Sequence, residues 1–313
     1  MIGSMPTQHL NNVAILLGSR NGAKFLPEQL MSFQRQTYPN WSLWVSDDGS
    51  TDNTKALVTD FIERSGADGH LLDGPQHGFC QNFMSLVTNP AIKATYYAFS
   101  DQDDVWLEDK LERAVDWLNT VDSTIPALYC SRTCLIDSKG KPIGYSPDYA
   151  KPPGFGNALL QNIASGNTMV FNHCARELLQ KVKGAPIIVH DWSLYQIVTG
   201  CGGVVNFDRQ PSVRYRQHQH NIIGNSMSPL RRLSNFLAAY GGRAAKWNDA
   251  NVEVLTCISN ELTPRAKQML ASFCAIRGSN VLNRLRLMRE SDVYHQQRIG
   301  TLTTLMHILL NKM

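Results

Sequence analysis

The sequence predicts an α/β chain built on a doubly wound, mostly parallel sheet, followed by a helical C-terminal extension. Three observations carry that reading. Short apolar runs alternate with stretches of helical spacing through the N-terminal part of the chain. Each of the clearest runs stops at a polar turn. From Pro229 onward the pattern is mainly helical, with breaks at Gly241-Gly242, Pro264 and Gly278.

The elements follow in order. Val13-Ala14-Ile15-Leu16-Leu17 reads as a buried strand that ends in Gly18-Ser19-Arg20-Asn21-Gly22. Pro27 to Gln36 has helical spacing, with Leu30, Met31 and Phe33 apolar and Pro27 suited to a first turn. Trp41 to Val45 is a second strand, stopping at Ser46-Asp47-Asp48-Gly49-Ser50. Thr54 to Arg64 is a second helix, with Ser50 or Asp52 available to cap it. His70 to Leu72 is a weak third strand, Asn82 to Val87 a helix, and Tyr96 to Phe99 a fourth strand. After Trp106 come a helix over Leu107 to Leu118, a strand at Ala127 to Cys130 and a long loop over Lys139 to Gly156. Ser165 to Phe171 and Val204 to Tyr215 add strand-like runs. Sheets of this kind bind ligands beyond the carboxyl ends of their strands. The turns GSRNG, SDDGSTD and SDQDD are therefore expected to converge.

Composition narrows the function classes. The 313 residues suggest one large domain or two modest ones, and 43% apolar residues can bury a sizeable core. The seven cysteines are scattered without a CxxC pair, which fits free thiols in a reducing compartment. Cys130 and Cys134 have no second ligand pair and read as packing. No basic start leads into an apolar run, and no apolar stretch reaches the ~18 residues of a membrane span, so a cytoplasmic location is expected. No aromatic-basic stripe or helix-turn-helix pattern points to nucleic acid. No GxGxxG follows the first strand, which disfavours a dinucleotide oxidoreductase. From Ser228 to the end, twelve Lys/Arg stand against five Asp/Glu, a balance of +7. The net charge of +4 leaves −3 for the remainder, so the two parts are expected to meet different partners.

The acidic turn SDQDDVW is the strongest chemical signal. Solvated loops also carry such clusters, but this one leaves an interior strand at the ligand edge of the sheet. Crowded carboxylates repel, which raises a pKa unless a cation joins them. A hard divalent ion, Mg²⁺ or Mn²⁺, suits such oxygens together with a phosphate. In SDDGSTD, turn chemistry accounts for Ser50 to Asp52, whereas the acceptor-only carboxylate of Asp48 suits the ring N–H of uracil or thymine.

"VAILLGSRNG", "QTYPNWSLWVSDDGSTDNT" and "FSDQDDVWLEDKL" together resemble the family 2 inverting glycosyltransferases of the A-type fold. "IASGNTMVFN", "VHDWSLY" and "VRYRQHQHNIIGN" continue the resemblance, which is especially close to bacterial rhamnosyltransferases of surface polysaccharide synthesis. It implies a transferase domain over residues 5–227 and a basic, mainly helical region over 228–313. The donor it implies is a dTDP- or UDP-linked sugar, dTDP-L-rhamnose first, with a UDP-hexose or UDP-N-acetylhexosamine as the alternative. The acceptor is a saccharide or lipid-linked glycan. A non-catalytic nucleotide-sugar or glycan-binding module is the reading from another class.

The resemblance also distributes roles. Asp101 and Asp103 match the D-x-D element, with Asp103 in metal contact. Ser19, Arg20 and Asn21 match the nucleotide-binding turn, and here Gly-Ser-Arg-Asn stands where many relatives carry Pro-Thr-Tyr-Asn. Asp48 matches the pyrimidine reader, Gly78 and Asn82 a segment beside the nucleoside, and Gln102 the donor site. Asp191 matches the general base that takes the acceptor's proton; capping the following helix is its other reading. Arg216 is expected at the diphosphate, and His218 at metal or phosphate. His220 departs from the family pattern. Asp104, Trp106 and Trp192 are expected to meet sugar or acceptor, with core packing the alternative for both tryptophans. Leu282, Leu285, Leu287 and Met288 interleave with Arg284, Arg286 and Arg289. That pattern fits a solvated covering helix or peripheral docking on anionic lipid at the inner face of the cytoplasmic membrane.

Overall fold

The computed structural model describes residues 11–218 and 244–310. His220 and the first part of the C-terminal region, 228–243, lie outside the described residues.

The elements run β1 (Val13–Ser19), α1 (Leu26–Gln34), β2 (Trp41–Asp47), α2 (Thr54–Ser65), β3 (Gly69–Asp73), α3 (Phe79–Val87) and β4 (Tyr96–Asp101). The next are β5 (Val105–Trp106), α4 (Lys110–Leu118), β6 (Ala127–Ile136), β7 (Pro142–Tyr145) and α5 (Phe155–Ala158). The series closes with β8 (Val170–Asn172), α6 (His173–Gln180), α7 (His190–Gly200) and β9 (Val204–Arg216). Four helices follow at Ala244–Cys257, Pro264–Ala275, Val281–Glu290 and Arg298–Leu309.

One sheet holds the strands in the order β3-β2-β1-β4-β8-β6-β9-β5, with β7 on β6. The half formed by β3, β2, β1 and β4 is parallel, as the alternation predicts. Beyond β4 the sheet is mixed: β8 runs antiparallel to β4 and β6, while β6 and β9 are parallel. β1 is the central strand of the parallel half, and Val13 to Leu17 are fully buried. Ala14 and Leu16 enter one apolar cluster; Val13, Ile15 and Leu17 enter the other on the opposite face. Covering both faces explains why the run is continuously apolar and not alternating. The described C-terminal helices add Val254, Leu255, Phe273, Ile276 and Ile308 to the cluster that contains Leu16.

Some local expectations are revised. The loop over Lys139 to Gly156 contains β7. Ser165 to Phe171 is a 3₁₀ turn at Gly166–Thr168 followed by β8. The residue at the N-cap of α2 is Asn53, while Asp52 Oδ1 accepts from Thr54 N (3.0 Å). Ser50 instead donates to Asp47 Oδ2 (2.5 Å).

Asn172 joins β8, β6 and α6. Its Oδ1 accepts from Ala175 N and Ala127 N, both at 3.0 Å, and its Nδ2 donates to Ile125 O (2.8 Å). Asn172→Ala removes a helix cap and leaves buried backbone groups unpaired. The expected loss is about 2–4 kcal/mol in denaturant unfolding; a loss below about 0.5 kcal/mol would contradict this role.

Candidate active site

The parallel half brings the three polar turns to one edge, where side chains stitch them together. Arg20 N donates to Gln102 Oε1 and Gln102 Nε2 donates back to Arg20 O, both at 2.9 Å. Asn21 N donates to Ser50 Oγ (2.8 Å), and Asn21 Oδ1 accepts from Thr51 N (2.8 Å). Gly22 N donates to Thr54 Oγ1 (2.8 Å). A Cβ at Gly22 would lie 2.1 Å from Gln102 Oε1, so any side chain there would displace the Gln102 amide from the Arg20 backbone. Asp47 holds its own turn, accepting from Ser50 N (2.8 Å) and Ser19 Oγ (3.1 Å).

Asp48 fixes the segment after β3. Its carboxylate accepts from Gln76 N (2.5 Å) and Gly78 N (3.0 Å) while lining the cavity described below. A carboxylate has about four acceptor positions, so capacity remains for a ligand N–H. Asn82 locks α3 to β2 by donating to Ser46 O (2.8 Å) and accepting from Ser46 Oγ (2.6 Å).

The acidic turn divides into three environments. Asp101 faces the cavity and is pushed up to about 8, by burial first and then by the charges of Asp103 and Asp191. Asp103 Oδ2 meets His218 Nε2 at 2.6 Å. The His218 ring stacks on Phe25, with centroids 5.2 Å apart at 21°. Asp104 is fully buried, accepting from Asn167 Nδ2 (2.6 Å) and Arg216 N (3.0 Å). Burial first, then Asp103 and Asp101, pushes Asp104 well above the usual carboxylate range.

Three expected contacts are corrected here, because these side chains are spent inside the protein. Asp104 anchors the turn from below and does not line the cavity. Trp106 is 2% exposed, edge-on to Phe33 at 4.8 Å, with Lys110 Nζ 4.1 Å above its ring. Arg216 is 1% exposed; Nε donates to Asp103 O (2.9 Å), and a terminal nitrogen pairs with Glu28 (2.7 Å). Its guanidinium also covers the Phe25 ring at 4.7 Å. Arg216 therefore braces the Asp103 backbone and does not reach the cavity.

Asp191 stands in the first turn of α7. Its Oδ2 accepts from Gly166 N (2.8 Å) and its Oδ1 from Trp192 N (2.6 Å). The N-cap position of α7 is Val189, so Asp191 sits inside the first turn, where it accepts from one of that turn's free N–H groups and from Gly166 as well. Burial pushes Asp191 up to about 6, against the pull of those N–H groups. A Cβ on Gly166 would come within 3.3 Å of Asp191 Oδ2 and 3.2 Å of His190 Nε2, so glycine permits this close approach. His190, absent from the sequence reading, stacks on Phe83 at 4.1 Å and 21°. Burial pushes it down to about 3, keeping it neutral. Asn167, Phe25, Glu28, Gln76 and Trp247 were likewise not singled out by sequence. Asn167 lies in the SGNT run, its one available signal.

A cavity of about 1100 Å³ gathers Ser19, Arg20, Asn21, Asp48, Gly78, Asn82, Asp101, Gln102, Asp103, Asp191, Trp192 and His218. Among the described residues, no three His, Cys, Asp or Glu side chains form a ready metal cage. The carboxylate of Asp103 with the His218 imidazole, and Asp101 beside them, is a donor set that suits a hard ion completed by phosphate oxygens.

Residues 15–169 match the family described as glycosyl transferase family 2. The chain is 29% identical over 225 residues to the dTDP-rhamnosyl transferase RfbG of Shigella flexneri, covering 68% of this chain and 75% of RfbG. Two solved structures share the fold. S. aureus TarS in complex with UDP-GlcNAc matches with a TM-score of 0.53, at 11% identity and 90% coverage of both chains. The mannosyltransferase PcManGT of Pyrobaculum calidifontis, in complex with GDP-Man and Mn²⁺, matches with a TM-score of 0.51 at 17% identity. That match covers 96% of this chain and 85% of PcManGT. Residues 15–169, which carry the three converging turns, are a glycosyl transferase family 2 domain, and the chain has the A-type glycosyltransferase fold.

Proposed function

We propose that the chain is an inverting transferase that moves L-rhamnose from dTDP-L-rhamnose to a hydroxyl of a saccharide or lipid-linked acceptor in bacterial surface polysaccharide synthesis. The observation that carries this is one cavity holding both the Asp48, Asp101 and Asp103 turns and the raised carboxylate of Asp191. The likeness to RfbG supports rhamnose as the sugar. A UDP-hexose or UDP-N-acetylhexosamine donor is the second reading. Asp48 favours it equally, because uracil and thymine present the same ring N–H to a carboxylate.

Inversion needs one displacement and no protein nucleophile. Asp191 accepts the proton of the acceptor hydroxyl as its oxygen bonds to the anomeric carbon. The bond from that carbon to the nucleoside diphosphate breaks, and the electron pair leaves with the diphosphate. The pKa near 6 makes Asp191 a stronger base than an ordinary carboxylate while leaving it ionised at neutral pH. Neutral His190 places no positive charge beside it to weaken that base. Asp103 and His218 would hold Mg²⁺ or Mn²⁺, which when bound offsets charge on the departing diphosphate. Asp48 and the backbone of the β1 turn orient the nucleoside.

Membrane contact through the C-terminal region fits the same reading. Ile299, Leu302, Met306 and Leu309 form an outward stripe at helical spacing, all exposed. Leu282 is 80% exposed on the adjoining helix Val281–Glu290, where Arg286 and Arg289 also face solvent. Among the described residues no helix is long and apolar enough to cross a membrane, so such a contact would be peripheral.

Incubation with dTDP-L-rhamnose, UDP-glucose and UDP-N-acetylglucosamine, with nucleotide release as readout, is expected to show dTDP-L-rhamnose consumed fastest. Asp191→Asn should still bind dTDP but lose ~10²–10⁴ in rate. Because only ionised Asp191 accepts a proton, wild-type kcat/KM should rise as pH increases through about 6 and then level off. Full turnover by Asp191→Asn, or a rate that falls across that range, would remove Asp191 as the base. For the membrane contact, the protein should pellet with phosphatidylglycerol vesicles and less so at high salt. Equal pelleting with neutral vesicles, or none with either, would count against it.

A further inference from the structure

We infer that Trp192 and Trp247 form a docking site for an uncharged sugar ring of the acceptor, with Trp247 supplied by the C-terminal region against Trp192, the residue that follows Asp191. The inference rests on the transferase reading above and names the chemistry of its second substrate.

Size comes first. A cavity of about 1100 Å³ exceeds the roughly 300–1,000 Å³ of ordinary ligand clefts, so donor and acceptor can share it. The walls also differ in origin. The donor turns lie within residues 15–169, the stretch that matches the family. Trp192, Phe207, Tyr215 and Trp247 line the same cavity from outside that stretch.

These rings are held in place. Trp192 follows Asp191 directly, and its Nε1 donates to Ala158 O at 2.7 Å. Trp247 meets it edge to face, with centroids 6.0 Å apart at 63°. The helix that carries Trp247, Ala244–Cys257, is anchored by fully buried Val254 and Leu255 and packs on α7. Tyr149 and Phe207 form a second aromatic pair on the cavity wall, at 5.2 Å. Both tryptophans keep part of their surface open.

Charge selects the ligand. Among the described lining residues, the lysine and arginine side chains are Arg20 and Lys24, both in the segment after β1. Among the described residues the aromatic wall offers no such cation to a phosphate or carboxylate, and it adjoins the Asp191 carboxylate, which repels an anionic ring. A neutral sugar ring suits it: C–H faces meet the indoles, while the rim hydroxyls find Gln161 and Asn162 on the lining. A hydroxyl of a ring docked there is delivered to Asp191.

Saturation-transfer NMR tests this with methyl glycosides of rhamnose, glucose, galactose and N-acetylglucosamine, and methyl glucuronide as the charged control. The wild-type protein with dTDP and Mg²⁺ should saturate ring protons of at least one neutral glycoside in preference to the glucuronide. Trp247→Ala should weaken that binding about tenfold, Trp247→Phe should restore most of it, and dTDP binding should be unchanged in both. Equal glycoside binding by wild type and Trp247→Ala overturns the inference, as does preference for the glucuronide or no glycoside binding in wild type. dTDP binding in the same samples reports the donor reading separately, and its absence from wild type overturns that reading and this subsite with it.

Discussion

Repulsion among three aspartates that leave one strand end is the constraint around which this site is organised. Asp101 ends β4, Asp103 and Asp104 follow within a single turn, and each is placed in a different environment. Asp104 goes down into the protein, where Asn167 and the Arg216 backbone satisfy it. Asp103 pairs with His218. Asp101 stays at the cavity with its carboxyl pushed up to about 8. Removing one carboxylate to the interior and pairing a second leaves a surface that a cation and a diphosphate can complete. Arg216 and Glu28 serve this arrangement from behind the cavity lining and Phe25 from its wall, because they hold the backbone and ring that set the Asp103–His218 pair.

The sheet makes the convergence possible. Parallel pairing of β2, β1 and β4 puts three strand ends side by side, so turns distant in sequence become neighbours. Side-chain bonds from Gln102 to the Arg20 backbone and from Asn21 to Thr51 then join them. The other half of the sheet, where β8 runs antiparallel to β4, brings Gly166 and α7 round to the same opening. Asp191 thus arrives from the part of the fold that departs from simple strand-helix alternation.

That division explains what was legible in the sequence. β1 and β4 were readable because continuous apolar runs mark strands buried on both faces, and the turn residues that end β1, β2 and β4 are chemically distinctive. Ser19, Asn21, Asp48, Asp101 and Asp103 accordingly line one cavity, and Asp191 lines it from α7. Asp104, Trp106 and Arg216 do not, and the cause is local. The two-residue strand β5 pairs with β9 through Val105 and Trp106, which turns the chain back into the apolar core. A strand that short leaves no periodic trace, so the direction of Asp104 and Trp106 was hidden. Arg216 looked like a phosphate ligand by composition, whereas its burial depends on Glu28 and Phe25, more than 180 residues away in the chain. His190 and Trp247 became visible only when tertiary packing set them against Phe83 and Trp192.

The central claim is that the divided acidic turn is completed by a divalent cation and a pyrimidine nucleoside diphosphate together. Isothermal titration of dTDP and UDP into the wild-type protein, with and without Mn²⁺, tests it most directly. The account predicts binding that is strong with Mn²⁺ and weak without it, with Asp103→Asn reducing the metal-dependent gain. Equal affinity with and without Mn²⁺, or no binding of either nucleotide under both conditions, would contradict it.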